Sequence, residues 1–180
     1  MEKKQILIID NSGLSFTGDD INGPLLRGTE TSLILLSEEF AKKNLDVFFV
    51  TKTNQEKIIN GVHYINYNNI NKEKTFDLAI AVSNANLFNN IKSLKKAVFS
   101  VSNQSLEKFF RKRQFISTYT HKPVIVTLCD YQFKKRSFLT SPFGKLTIPI
   151  TVDRNLLVKK LMLVLFHLKK LFTTSDQIEI

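Results

Sequence analysis

The residues best placed for chemistry form one short run, Arg27-Gly28-Thr29-Glu30, which closes a glycine-bearing loop and opens a helical pattern. A helix start presents N–H groups with no partner inside the helix, together with a partial positive charge. A glycine there lets the backbone come close to a phosphate or another anion. Glu30 falls in the first helical turn, where the helix dipole favours a carboxylate. The run belongs to neither of the two common phosphate cradles. The stretch from Asp10 to Gly28 is far longer than a dinucleotide-binding turn, and no Gly-Lys-Ser/Thr follows it. An NAD-type site and a P-loop are therefore both excluded.

Other chemistry is sparse. His63, His121 and His167 lie far apart with no carboxylate or cysteine at metal-ligand spacing, so neither a metal nor a cofactor is expected. Cys129 is the sole cysteine; it follows the apolar run 124–128 and reads as a buried, inert thiol, with no disulfide available. The pairs Asp19-Asp20 and Glu38-Glu39 read as solvated. Basic clusters at Lys92, Lys95 and Lys96, at Lys108 with Arg111, Lys112 and Arg113, and at Lys134, Lys135 and Arg136 recur between the expected strands. They read as a solvated face or as a phosphate-binding edge. Phe109, Phe110, Phe115, Tyr119, Tyr131 and Phe133 sit among them, as in single-stranded nucleic-acid binders, but no RNA-binding signature accompanies them and no specific nucleic acid is expected.

The elements that must hold these residues are legible in the hydrophobic pattern. The run Gln5-Ile-Leu-Ile-Ile9, ending in Asp10, reads as a buried parallel strand. The loop 11–27 carries Gly13, Gly18, Gly23 and Pro24. Residues 28–43 place Leu33, Leu36, Phe40 and Ala41 at helical spacing, with Lys42 and Lys43 in the last turn and Asn44 as the stop. Further strands are expected at 47–51, 61–66, 76–82, 97–101 and 123–128, with a short extended piece at 146–150. Residues 52–60 are largely polar, 83–94 read as a loop or short helix, 102–117 as helical, and 137–147 as irregular. Strands alternating with helices imply an α/β fold of Rossmann type, a mostly parallel sheet with helices on both faces.

The chain of 180 residues has a net charge of +10, which attracts polyanions such as nucleic acid, sugar nucleotides or anionic lipid. Abundant Lys, Asn, Ile and Phe also fit A/T-biased coding as a source of basicity. No apolar run reaches the length of a membrane span and no signal peptide precedes Asp10, so the expected location is cytoplasmic, with weak peripheral association at an anionic inner membrane face. Residues 155–172 differ from the rest, with dense Leu, Val and Phe and paired lysines at 159–160 and 169–170. They read as a basic amphipathic helix or as the first strand of another unit.

Taken in order, these segments resemble the N-terminal half of GT-B glycosyltransferases, within the retaining family 4. The strand ending at Ile9, the long loop, Arg27-Gly28-Thr29-Glu30 and Asn44-Leu-Asp-Val-Phe-Phe-Val-Thr51 look like that family's glycine-glycine-x-glutamate turn, first helix and second strand. Phe76-Asp-Leu-Ala-Ile-Ala81, Val98-Phe-Ser-Val-Ser-Asn103, Val126-Thr-Leu-Cys-Asp130-Tyr131 leading to Lys134-Lys-Arg-Ser137, and Ile148-Pro-Ile-Thr-Val-Asp153 follow in the family's order. The resemblance covers residues 5–153. It implies half of a GT-B fold at 1–153 and a hinge or tail at 154–180. It also implies a nucleotide-sugar donor and a glycan or lipid-linked acceptor, without a metal. Its substrate wall would comprise Arg27, Gly28, Thr29, Glu30, Ser102, Asn103, Lys134 and Arg136, with Gly28 near the donor diphosphate and Glu30 ordering the loop.

Three departures accompany the resemblance. Arg27 stands where the family has its first glycine, and residues 98–103 contain Ser100 and Ser102 but no histidine. After Asp153 there is room for a hinge and one strand only, so the chain reads as a truncated or split enzyme, its donor-binding half supplied by a partner chain, or as an inactive remnant, and little or no transferase activity is expected of it alone.

Overall fold

The computed structural model describes residues 3–23, 26–100, 112–127 and 145–147. Its centre is β1 (Gln5–Ile9), in which Ile6, Leu7, Ile8 and Ile9 are all fully buried. An apolar run covered on both faces does not alternate, which is why this strand reads as continuous. Each such aliphatic side chain contributes about 1.5–3 kcal/mol when fully buried.

β1 is flanked in parallel by β2 (Asp46–Thr51) and β5 (Thr75–Val82). With β3 (Lys57–Ile59), β4 (Val62–Asn66), β6 (Lys92–Ser100), β7 (Val124–Thr127) and β8 (Lys145–Thr147), the sheet has eight strands in the order β3-β4-β2-β1-β5-β6-β7-β8. Only β3 runs antiparallel, paired to β4. The fold is thus α/β with a mostly parallel sheet.

The alternation of β1 feeds two cores. Ile6 and Ile8 join Leu33, Ile34 and Phe40 of α1 (Gly28–Lys42) on one face. Leu7 and Ile9 join Ala85, Leu87 and Phe88 of a 3-10 turn, Ala85–Phe88, on the other. A second helix, α2 (Lys112–His121), lies against that turn: Ser117 Oγ donates to Asn89 Oδ1 at 3.3 Å, and the His121 ring meets Phe88 edge-on at 5.8 Å. Helical elements therefore cover both faces. The connection after β1 leaves to one face and the connection after its neighbour β5 leaves to the other.

α1 stops at Asn44, as its sequence suggests. Asn44 adopts φ 63°, its N–H bonds Ala41 O at 3.0 Å, and Leu45 N–H reaches Phe40 O at 3.4 Å. This is a Schellman ending, with asparagine in the left-handed position.

Four expectations need correction. The polar stretch 52–60 contains β3, turned into β4 through Asn60 (φ 50°) and Gly61 (φ 80°). β6 begins at Lys92 and not at residue 97, so Lys92, Lys95 and Lys96 lie along a strand and not between strands. The helix expected at 102–117 is described from Lys112 and continues to His121. Lys145–Thr147, at the end of the region read as irregular, is the strand β8 paired with β7, and it overlaps the start of the extended piece expected at 146–150. Residues 154–180 lie outside the described residues.

Candidate functional site

The carboxyl end of β1 delivers Asp10, whose side chain is buried on the same face as Ile6 and Ile8. Its N–H extends the ladder to Val50 O at 3.0 Å. Its carboxylate accepts from Ser12 N–H at 3.2 Å and from Ser12 Oγ at 2.6 Å. Burial pushes the Asp10 carboxyl above its ordinary range. The two Ser12 bonds pull it back, Glu30 raises it further, and Arg27 lowers it.

The loop beyond Ser12 is tied down rather than free. Phe16 is buried edge-on against Phe49, with ring centroids 5.6 Å apart, and its carbonyl accepts from Thr51 Oγ1 at 2.9 Å. Thr17 and Asp20 form a capping box around the 3-10 turn Gly18–Asn22, with Thr17 N–H donating to Asp20 Oδ2 at 2.8 Å. Asp20 is therefore a capping residue, and Asp19 pairs with Lys57. Both are exposed, as expected, and each also has a partner. Glu38 accepts from Asn60 Nδ2 and Glu39 pairs with Lys42. Gly18 sits where only glycine fits: an added Cβ would lie 2.9 Å from Ile59 Cγ2 and 3.1 Å from Tyr64 Oη.

The loop returns to the sheet at the start of α1. The helix ladder begins with Thr31 N–H to Arg27 O at 3.1 Å, so the amides of Gly28, Thr29 and Glu30 precede it. Arg27 occupies the N-cap position without capping through its side chain. A Cβ built on Gly28 meets nothing within 4 Å. The described residues give no packing reason for glycine there.

Glu30 turns inward. Its side chain is 2% exposed while that of Arg27 is 64% exposed, and Arg27 holds Glu30 Oε1 through both Nε (3.1 Å) and Nη2. Oε2 is buried with no hydrogen-bond partner among the described residues. A buried carboxylate oxygen without a donor is costly, about 1–3 kcal/mol or more. Asp10, Arg27 and Glu30 thus form one electrostatic unit at the carboxyl edge of β1: two buried acceptors, one surface cation and three helix-start amides. The Arg27–Glu30 pair joins the end of the loop to the buried face of α1.

On the neighbouring strand, Ser83 follows β5 with φ 58°, a left-handed conformation unusual for serine, and its Oγ is also buried without a partner. Its N–H bonds Phe99 O at 2.8 Å.

Of the residues expected to form the substrate wall, Arg27, Gly28, Thr29 and Glu30 come together at this corner. Arg27 holds Glu30 through Nε and Nη2, and the rest of its guanidinium is exposed. Ser102, Asn103, Lys134 and Arg136 lie outside the described residues. Asp10, Ser12 and Ser83 were not expected in the site; the signal for them is a polar residue directly following an apolar strand at its carboxyl end. His63 stacks on Phe48 (4.9 Å) and contacts Asp46 at 3.3 Å. Among the described residues no group of His, Cys, Asp and Glu is arranged to hold a metal, and no helix is long and apolar enough to cross a membrane. Comparison with protein-family models, curated proteins and solved structures finds no match.

Proposed function

We propose that this chain supplies the acceptor-side, Rossmann-like domain of a GT-B glycosyltransferase of family 4 type. A nucleotide sugar would be gripped from the opposite side by a second domain, and a glycan or lipid-linked acceptor would lie against this one. One observation carries the reading. The helix start at Gly28, which no described residue crowds, lies beside the carboxyl end of β1, where the connections of β1 and β5 depart to opposite faces. In open parallel sheets a ligand crevice forms at such a switch of direction. With β3 set aside, the parallel strands also run in the doubly wound order expected of a Rossmann domain. The test is calorimetry of the full chain with a panel of uridine, guanosine and adenosine diphosphate sugars, followed by transfer assays with and without the product of the neighbouring gene. Binding with transfer only in the paired assay is the expected result. Absence of binding and of transfer in both arms overturns the reading.

A second reading, a non-enzymatic basic module for RNA or an anionic membrane surface, draws on the distribution of charge. Residues 1–100 carry 12 Lys and Arg against 11 Asp and Glu, whereas residues 101–180 carry 14 against 5. Binding to generic oligonucleotides or anionic vesicles that falls steeply with salt, and that needs the second half, favours this reading.

A further inference from the structure

We propose that His121 is an acid-sensitive latch that holds α2 on the sheet, and that protonation of its ring releases the helix while the rest of the fold stays closed. The latch stands apart from the glycosyltransferase reading and does not depend on it.

α2 meets the protein through a polar face. Among its described side chains the buried ones are Ser117 and Thr118, while Ile116 and Tyr119 are 53% and 63% exposed. Thr118 Oγ1 is buried and finds no partner among the described residues. A helix docked through hydroxyl groups gains little from the hydrophobic effect, so its polar contacts decide how firmly it sits. Those contacts converge on His121. Its Nε2 lies 2.9 Å from Asn89 Oδ1, which also accepts from Ser117 Oγ at 3.3 Å. Its Nδ1 lies 3.4 Å from Lys96 Nζ on β6, and its ring meets Phe88 edge-on at 5.8 Å. One side chain thus ties the last turn of α2 both to the sheet and to the 3-10 turn.

This set of bonds needs a neutral ring. With its proton on Nε2, His121 donates to Asn89 and accepts at Nδ1 from the Lys96 ammonium. A second proton, on Nδ1, turns that acceptor into a donor and sets two cations 3.4 Å apart. The titratable groups near the ring are Lys96 on β6 and Tyr119 and Lys122 at its own end of α2; residues 84–91 bring none. No Asp or Glu occurs in residues 84–100 or 112–122 to offset the added charge. Burial, and then the Lys96 charge, accordingly hold the docked ring below its ordinary pKa. Above pH 6.5 the docked and released rings are both neutral and the latch is closed. As pH falls below 6.5 the released ring takes up its proton first, and docking weakens.

The test is amide hydrogen exchange of the full, isotopically labelled chain at about pH 7.5 and about pH 5.5, corrected for intrinsic exchange rates, with the His121 ring titrated by NMR. Opening of α2, read at residues 116–122, should rise in acid by at most about tenfold, the ceiling for a free imidazole one unit below its pKa. The amides of β1 and β2 should keep their protection. His121→Gln retains a donor toward Asn89 but cannot become charged, and it should abolish the acid response. Should glutamine leave α2 open at both pH values, the ring is again shown to be the tie, and Lys96→Met carries the pH test. That variant removes the facing charge but not the burial, and it should shrink the response. The proposal is overturned by protection that falls equally in α2 and β1, by the absence of any acid response, by a response that survives in a docked His121→Gln, or by one that Lys96→Met leaves unchanged.

Discussion

Gly18→Ala is a sharp probe of how the loop before α1 is held. The added Cβ lies 2.9 Å from Ile59 Cγ2, 3.4 Å from Ile59 Cβ and 3.1 Å from Tyr64 Oη. Neither neighbour yields easily. Cγ2 is fixed to the branched Cβ of Ile59, and Tyr64 is fully buried beneath it. The turn cannot swing away either, because the Thr17–Asp20 box and the Thr51 bond to Phe16 O pin it on both sides. Gly18 has no left-handed φ, so the cost is steric and not conformational. Overpacking of this kind costs about 1–3 kcal/mol, which for a chain of this size lowers Tm by about 2–4 °C for each kcal/mol. The same geometry forecasts coupling. Ile59→Ala removes the atom at 2.9 Å and leaves only ordinary contact at its own Cβ. Alone it should cost about 1–2 kcal/mol, below the ~2–5 kcal/mol of a fully buried residue, because Ile59 is half-buried on the edge strand. The double variant should then be less destabilised than the sum, by about 1 kcal/mol. Urea unfolding of the four proteins, with m compared throughout, measures this. Strict additivity, or a neutral Gly18→Ala, would show that the turn does not press on β3 and would refute the reasoning.

Three further outcomes are expected. Lys122, just past α2, holds φ 45° while its N–H bonds Thr118 O at 3.0 Å, so Lys122→Gly should stabilise by about 1 kcal/mol; a loss in thermal unfolding would contradict it. His121 donates through Nε2 to Asn89 Oδ1 at 2.9 Å and accepts at Nδ1 from Lys96 at 3.4 Å, and burial followed by the Lys96 charge holds its pKa below 6.5. Protonation therefore favours the unfolded chain, so stability from neutral His121 is complete above pH 6.5 and lost as pH falls through the folded value. Lys96→Met should move the NMR midpoint part of the way back, since burial remains; no movement would sink the assignment. For Asp10 the sign reverses: its raised carboxyl costs stability when ionised, so the native protein gains relative to Asp10→Asn as pH falls through the raised value toward 3.8, and a pH-independent difference in denaturant unfolding would refute the burial argument.

The central strands and α1 were legible because their burial imposes a period or a run. β1, β2, β5 and β7 are apolar for most of their length, and their expected and observed limits differ by a residue or so. The elements that escaped are those whose burial is partial. β3 pairs on one side only, and its best signal was the Asn60-Gly61 pair, which forms a tight two-residue reversal with both φ positive. β6 was read five residues short. Its first half pairs with β5 through Thr75–Lys92 and Leu78–Lys95, but β7 joins only at Ala97. Residues 92–96 are thus an open edge that tolerates lysine, and Leu94 there is 74% exposed. Of the lysines expected in a solvated cluster, Lys92 is exposed, whereas Lys95 and Lys96 are half-buried along the strand and Lys96 reaches His121.

The site was half legible for a related reason. Arg27 and Glu30 are three apart at a helix start, a spacing that announces an ion pair. Reading Glu30 only as a charge near the dipole missed its position on the stripe. The spacing that buries Leu33, Ile34, Ser37 and Phe40 continues back to Glu30, which is as enclosed as they are. A helix serving packing alone would carry an apolar or small residue there, because an enclosed carboxylate must find donors for both oxygens. Arg27 satisfies one. The other oxygen finds no donor among the described residues. An ordered water or a ligand answers such a demand. The physical case for a binding site therefore rests on what the fold leaves unsatisfied at Glu30 more than on the glycine that first drew attention to the loop.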